Sequence, residues 1–210
     1  MLCLIGCSLA LTAPTAVRGQ ATNTGPAVVP PSAAYVDDPS GAVAEGNFLR
    51  WWVAPARTRT LWVYFDPPPQ ERPDFWATAE RAISWWNEVE GLPLSFRATG
   101  HEESADIRLA WINRFEDSRA GSADWLTDGD GWLRSVTVTL ATEHVDGTVM
   151  SDEFVFLVAL HELGHALGLP HSDDPGDVMH PGNRNWQLSD RDVRSVLHLY
   201  GASHTSGESE

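Results

Sequence analysis

Three stretches of the chain have the apolar pattern of α-helices. Apolar residues at the 3.6-residue period predict a helix from Pro73 to about Glu90, on the face formed by Phe75, Ala79, Ala82, Ile83 and Trp86. A second, more uniformly apolar helix is predicted from Ser151 to about Gly168, because Ser151 and the acids after it suit a helix start. A third begins at Ser189, where Asp192 completes a capping box, and ends at Gly201.

Short runs of β-branched and aromatic residues predict four strands, at about 60–65, 94–98, 106–111 and 135–142. The acidic, glycine-rich segment from about 113 to 131 is predicted to be a loop. Strands grouped together, with helices before and after them, predict an α+β fold in one domain that covers residues 48–202. A polar tail, 203–210, follows it.

The first 47 residues have a different character. Residues 1–19 resemble a signal peptide, since an apolar run is followed by small residues and is too short to span a membrane, although no basic residue precedes Arg18. This predicts a secreted protein, and lipid attachment at Cys7 is the alternative. Residues 20–47, rich in Ala and Pro, are interpreted as a linker or as a short pro-segment whose Asp37 or Asp38 could supply an oxygen ligand.

Composition narrows the classes of partner. The chain has 29 acidic residues against 14 basic ones, all arginine, and a net charge of −15. This balance argues against nucleic acid and anionic lipid as partners, and we expect a monomer. Because Cys3 and Cys7 are the only cysteines, the folded domain has neither a disulfide framework nor a thiolate metal site.

The candidate chemistry lies between His161 and His171. His161 and His165 are four residues apart, so on a helix both imidazoles project from one face and can reach one zinc ion. Glu162 then stands beside the metal, where a general base can take a proton from water. Gly168 permits the turn that brings His171 round as third ligand and leaves the fourth position open.

These residues resemble the metzincin signature of zinc endopeptidases. Within that group, the segment is similar to the matrixin (matrix metalloproteinase, peptidase M10) family, because Ser172 follows the third histidine and the segment reads HELGHALGLPHSDDPGDVMHP. The resemblance implies a zincin-like catalytic domain with a twisted, mixed five-stranded sheet, three helices and a substrate cleft. It also implies one catalytic Zn²⁺ and places Met179 beneath it as a floor. The implied activity is that of a secreted endopeptidase that acts on proteins or peptides, with Glu162 as general base. The compactness of the domain and the missing regulatory parts suggest a bacterial member.

Several features depart from the family pattern. Residues 20–50 contain no cysteine for a latency switch, and the loop at about 112–134 has no histidine for the family's second zinc. Asp124, Asp128 and Asp130 could bind Ca²⁺, although a solvated acidic turn also explains them. The tryptophans, Trp51, Trp52, Trp85, Trp86 and Trp132, are expected to be packing residues.

Two other functions remain open at this point. The first is a catalytically silent zinc-binding or adhesion module on the same fold. The second is a peptidase limited to short peptides, whose cleft would be blocked at one end. The intact Glu162 weighs against the silent module, because a structural metal site needs no carboxylate there.

Overall fold

A computed structural model of the chain describes residues 49–128 and 132–201. Its α-helices and strands, in chain order, are β1 (Arg59–Phe65), α1 (Phe75–Asn87), β2 (Leu94–Thr99), β3 (Ile107–Ile112), β4 (Gly121–Thr127), β5 (Leu133–Ala141), α2 (Asp152–Ala166) and α3 (Asp190–Leu199). A short 3₁₀ helix, Glu102–Ser104, precedes β3. The predicted segments 1–19, 20–47 and 203–210 lie outside the described residues, as do Cys7, Asp37, Asp38 and Asp130.

The five strands form one mixed sheet in the order β2-β1-β3-β5-β4. The pairings β1–β2, β1–β3 and β3–β5 are parallel, and β4 pairs antiparallel with β5. Within residues 49–128 and 132–201, β4 has no second partner and is the edge strand of the sheet. The α+β class, with a five-stranded mixed sheet and three α-helices, confirms the expectation.

The core lies between the sheet and the two helices α1 and α2. From Val155 to Ala166, every residue of α2 is buried. Trp86 of α1 is fully buried and donates its indole N–H to the carbonyl of Leu160, at 2.9 Å. This contact fixes α1 against the half of α2 that carries the histidines. No helix within the described residues is long and apolar enough to cross a membrane.

The predicted loop at 113–131 is wrong over seven residues, because β4 lies inside it. The sequence GSADWLT lacks the apolar alternation that indicates a strand, since its first three residues are small and buried. Its pairing with β5 is a tertiary effect, which overrides weak local preference.

The tryptophan prediction holds for Trp51 and Trp86, which are buried, and is wrong for Trp52, which is 54% exposed. Trp51 points inward and donates its indole N–H to the carbonyl of Ala166, at 2.8 Å. Trp85 is half-buried against Phe156. The side chain of Trp52 therefore contributes little to the core.

The two ends of the described chain meet at the end of α2. The hydroxyl of Tyr200 donates to the carbonyl of Leu167, at 2.7 Å, and accepts a hydrogen bond from the Trp51 amide, at 3.2 Å. Arg50 donates to the carbonyl of Leu199. Residues 49–51 and the end of α3 thus close over the turn that leaves α2.

Candidate metal centre

The helix α2 positions two of the predicted ligands. It begins at Ser151, whose hydroxyl accepts a hydrogen bond from the amide of Phe154, as predicted. The rings of His161 and His165 lie one turn apart with centroids separated by 4.7 Å, and both residues are buried. The spacing along one helix face therefore brings the two imidazoles together.

Each of these two rings is oriented by a backbone carbonyl. The Nδ1 atom of His161 lies 2.7 Å from the carbonyl oxygen of Val178, and the Nδ1 atom of His165 lies 2.7 Å from that of Leu169. Because a carbonyl oxygen can only accept, each Nδ1 must carry the proton. The lone pair of each neutral ring is therefore on Nε2, the nitrogen that faces the other ring.

The third histidine arrives through a tight turn. Gly168 has a φ of 97°, and a side chain there would collide with the carbonyl of Leu49. The amide of Leu169 bonds back to the carbonyl of Gly164, at 3.0 Å. The ring centroid of His171 then lies 5.3 Å from that of His161 and 4.9 Å from that of His165.

The donor set fits a zinc ion. One potential ligand atom from each of His161, His165 and His171 lies within 4.8 Å of the other two. The Nε2 atoms of His161 and His165, both lone-pair donors, face each other at 3.1 Å, which a cation shared between them would relieve. Burial lowers the pKa of His161 to about 3, and it also lowers the pKa of His165 and His171. Neutral imidazoles are the form that binds zinc.

Glu162 lies beside this group in an apolar setting. The residue is fully buried, and neither carboxylate oxygen has a hydrogen-bond partner among the described residues. Burial, followed by the charge of Asp124, raises the pKa of Glu162 well above its usual value, while Arg119 acts in the opposite direction. A buried carboxylate without a partner is costly to folding, which is typical of a group kept for chemistry.

Met179 lies against the helix that carries His161 and His165, and its role as a floor beneath the metal stays a prediction. It is fully buried, and its sulfur lies so close to Gly164 of α2 that a side chain at Gly164 would collide with it. The carboxylate of Asp192 accepts hydrogen bonds from the amides of Val178 and Met179, at 2.9 and 3.4 Å. Asp192 also forms the predicted capping box with Ser189. The sequence indicated the cap and not the second role.

The strand β4 and the helix α2 are in contact beside the histidine group, and we name them the two walls of the substrate cleft that the resemblance implies. They touch at Gly121, where an added Cβ would lie 2.6 Å from both Glu162 Oε1 and Val158 Cγ1. Glu162, Val158 and Phe154 follow one face of α2. At the far end of this row, a cavity of about 510 Å³ is lined by residues that include Phe115, Ala120 and Phe154. Sequence reasoning missed Gly121, because nothing local marks its contact.

Two of the three candidate calcium residues, Asp124 and Asp128, lie within the described residues, and each has another polar side chain beside it. Asp128 accepts hydrogen bonds from the amide of Trp132, at 2.9 Å, and from Arg134, at 2.6 Å. Asp124 lies on β4 near Ser122. Among the described residues, the three histidines are the one group of metal-ligating side chains close enough to share an ion. The calcium site and the solvated acidic turn both stay predictions.

Comparison with known proteins agrees with this geometry. The chain is 32% identical over 161 residues to a macrophage metalloelastase of Rattus norvegicus, which covers 70% of this chain and 33% of that protein. It is 32% identical over 142 residues to matrix metalloproteinase-26 of Homo sapiens, with 60% and 51% covered. The chain thus spans between a third and about half the length of these relatives. The sequence model of the matrixin family matches residues 57–201, and the chain belongs to that family.

Proposed function

We propose that the protein is a zinc-dependent endopeptidase that hydrolyses internal peptide bonds of protein substrates. The observation that carries the proposal is Glu162, a buried carboxylate with no hydrogen-bond partner among the described residues, which directly follows His161, one of three converging histidines. In this proposal His161, His165 and His171 hold the zinc. When bound, zinc supplies Lewis acidity, which polarises a carbonyl group and makes water more acidic.

Glu162 is the general base. Its carboxylate takes a proton from the attacking water and delivers it to the nitrogen of the departing amine. The apolar surroundings that raise its pKa support this role, because a raised pKa favours the return of the proton in the second step. Met179 and Asp192 act indirectly, by fixing the floor and the loop that carries the Val178 carbonyl.

The edge strand β4 would bind the substrate backbone. Its unpaired side offers main-chain N–H and C=O groups along the cleft, and an extended peptide can add to such an edge as a further strand. Antiparallel addition makes the better-aligned hydrogen bonds, and it would direct the C-terminal part of the substrate toward Gly121 and the cavity.

The length of the cleft supports long substrates over short peptides. Phe154, at the cavity, lies eight residues before Glu162 on α2, a distance of about 12 Å. An extended peptide covers this distance with roughly four residues. The walls therefore continue well beyond the reacting bond, and we expect them to bind substrate residues there.

The test compares casein hydrolysis by the zinc-loaded wild type, by Glu162→Gln and by the wild type with a chelator. We expect Glu162→Gln to retain zinc and to lose about 10²–10⁴-fold in rate, since that is the usual value of general-base catalysis. Chelation should abolish the activity and added zinc should restore it. Wild-type activity in the metal-loaded variant would assign the base to another residue, and an inactive wild type would favour the silent module.

A series of quenched peptides tests the substrate class. Extending the peptide from one to four residues after the scissile bond should raise kcat/KM, because each added residue gains backbone contacts with β4. A rate that falls with added length would favour the short-peptide enzyme instead.

The proposal extends to secretion. The apolar run in residues 1–19 supports export of the protein. Expression of the full chain in a secreting host, followed by mass spectrometry of the mature N-terminus, tests it. A protein that stays inside the cell with Met1 intact would contradict export, and a lipid on Cys7 would establish the alternative.

A further inference from the structure

Arg191 makes an ion-pair network outside the groups assigned above. It lies in the first turn of α3, and its side chain is only 16% exposed. Its Nη2 atom donates to Asp173 Oδ1, at 3.0 Å, and to Ser172 Oγ, at 3.2 Å. Its Nε atom lies 3.1 Å from Asp177 Oδ2, and Nη1 lies 3.7 Å from Asp174. One guanidinium thus contacts four residues of a six-residue loop, 172–177.

The loop depends on this cation for its charge balance. Asp173, Asp174 and Asp177 place three carboxylates within five residues. Asp177 is buried, and its carboxylate accepts hydrogen bonds from the hydroxyls of Ser172 and Ser189. A buried carboxylate needs a compensating charge, and Arg191 is the cation that the structure places against it.

The loop begins at the third ligand of the metal centre. His161 and His165 are buried on a helix, and their rings are held by carbonyls. His171 is exposed and lies beyond the end of α2, directly before Ser172. The amide of Ser172 bonds to the carbonyl of Met179, at 3.0 Å, so the loop is closed at its base. The position of His171 is therefore set by the loop that Arg191 holds.

We propose that Arg191 is a positioning residue for the third metal ligand, because it fixes the loop 172–177 from which His171 reaches the metal. The proposal rests on metal binding by the three histidines in the proposed function, and not on proteolysis. It differs from the role of Asp192, the next residue, which bonds the amides of Val178 and Met179 and so acts on the His161 side.

The experiment measures zinc affinity and zinc dissociation by competition with chelators. Outer groups that orient a metal ligand are typically worth 10–100-fold in metal affinity, and we expect a loss in this range for Arg191→Ala. Arg191→Lys should lose less, because an ammonium keeps the charge and cannot form the same fork of contacts. Arg108→Ala is the matched control: Arg108 also pairs with two acids, Asp66 and Glu102, away from the histidines.

A double-mutant cycle identifies the route of the effect. If Arg191 acts through His171, Arg191→Ala should weaken zinc binding little further once His171 is alanine. The absorption spectrum of the Co²⁺-substituted protein provides a second measurement. The spectrum of Arg191→Ala should shift toward that of His171→Ala, and that of Arg108→Ala should match the wild type.

Three results would overturn the proposal: additive losses in the cycle, a Co²⁺ spectrum unchanged by Arg191→Ala, or equal effects of Arg191→Ala and Arg108→Ala. If Arg191→Ala does not fold, Arg191→Lys and Asp173→Ala decide, since the Asp173 side chain is 77% exposed and can be removed without a cavity. A zinc dissociation rate equal to that of the wild type in both variants would overturn the proposal, and faster dissociation in both variants would support it. A wild type that binds zinc without cleaving casein would contradict the proposed function alone.

Discussion

The two walls of the cleft are built in different ways. One wall, which we call the lower wall, is α2 together with the segment that follows it, through the 172–179 loop to α3. This continuous segment contains the three histidines of the metal centre, Glu162 and Met179. The upper wall is β4, which presents a backbone edge and one glycine, Gly121, against Glu162. The lower wall depends on particular side chains at particular spacings. The upper wall depends on the position of the β4 backbone, and many sequences can form a strand at that position.

Within the lower wall, the largest expected effects come from substituting the zinc ligands. Substitution should also distinguish a ligand on the helix, His161, from the ligand on the loop, His171. Alanine at either His161 or His171 should reduce zinc affinity by more than the roughly 100-fold typical of an outer group, because a ligand is lost. In the metal-free protein, His161→Ala should cost about 1–3 kcal/mol, since the buried carbonyl of Val178 loses its donor. His171→Ala should change the stability by less than about 0.5 kcal/mol.

Metal analysis and urea unfolding of the two proteins provide the measurements. Full zinc occupancy in the His171→Ala protein would show that His171 is not a zinc ligand. Equal losses of metal-free stability would show that the loop holds its histidine as firmly as the helix does.

The contact between the walls can be tested at Gly121. A methyl group in Gly121→Ala would overlap Val158 and Glu162, so we expect a loss of about 1–3 kcal/mol in unfolding free energy. Casein hydrolysis should fall at full zinc occupancy, because Glu162 is displaced. Gly100→Ala is the control, since an added Cβ there meets nothing within 4 Å. Unchanged hydrolysis by Gly121→Ala would mean that the upper wall does not constrain the base.

The buried charge of Glu162 should appear in the pH dependence of stability. Its pKa is raised in the folded state, so above the ordinary value near 4.5 the unfolded chain binds fewer protons and the metal-free wild type loses stability as pH rises. Glu162→Gln lacks this loss. The variant should match the wild type below pH 4.5 and exceed it increasingly above, by at most about 1.4 kcal/mol per pH unit.

The three histidines have the opposite effect on the pH dependence of stability. Because both proteins contain them, their contribution should largely cancel when wild type and Glu162→Gln are compared. Their lowered pKa values mean that stability falls as pH drops below 6.5, in both proteins alike. Unfolding of the two metal-free proteins between pH 4 and 8 tests the prediction. Parallel curves would mean that Glu162 is ionised in the folded protein as readily as in the unfolded chain.

The smallest effect is expected on the upper wall, at the turn after β4. Asp128→Ala should cost about 0.2–1 kcal/mol, because Asp128 pairs with an exposed arginine, Arg134. We expect added Ca²⁺ to leave the melting temperature unchanged, since Asp128 already accepts hydrogen bonds within the turn. A rise of several degrees with Ca²⁺, lost in Asp128→Ala, would establish the calcium site.

What the sequence could predict follows the same division. The helices, their caps and the histidine spacing are local patterns, and the structure has α2 and α3 where those patterns indicate them. β4 was missed because its strand character comes from pairing with β5, and Gly121 and Arg191 gain their contacts only from the tertiary fold. The partners of Arg191 lie 14 to 19 residues away along the chain, so no local pattern marks them.

The hydrogen bonds of the Tyr200 hydroxyl indicate where the chain could be circularly permuted. It joins the first described residues to the last, since it bonds both the Trp51 amide and the Leu167 carbonyl. A short glycine-rich linker from Gly201 to Leu49 would replace this noncovalent joint with a peptide connection, at a small entropic cost. New termini could then be opened in the exposed turn at Gly147, far along the chain from the histidines. Such a circular permutant would begin with α2 and keep the metal-binding segment in one piece.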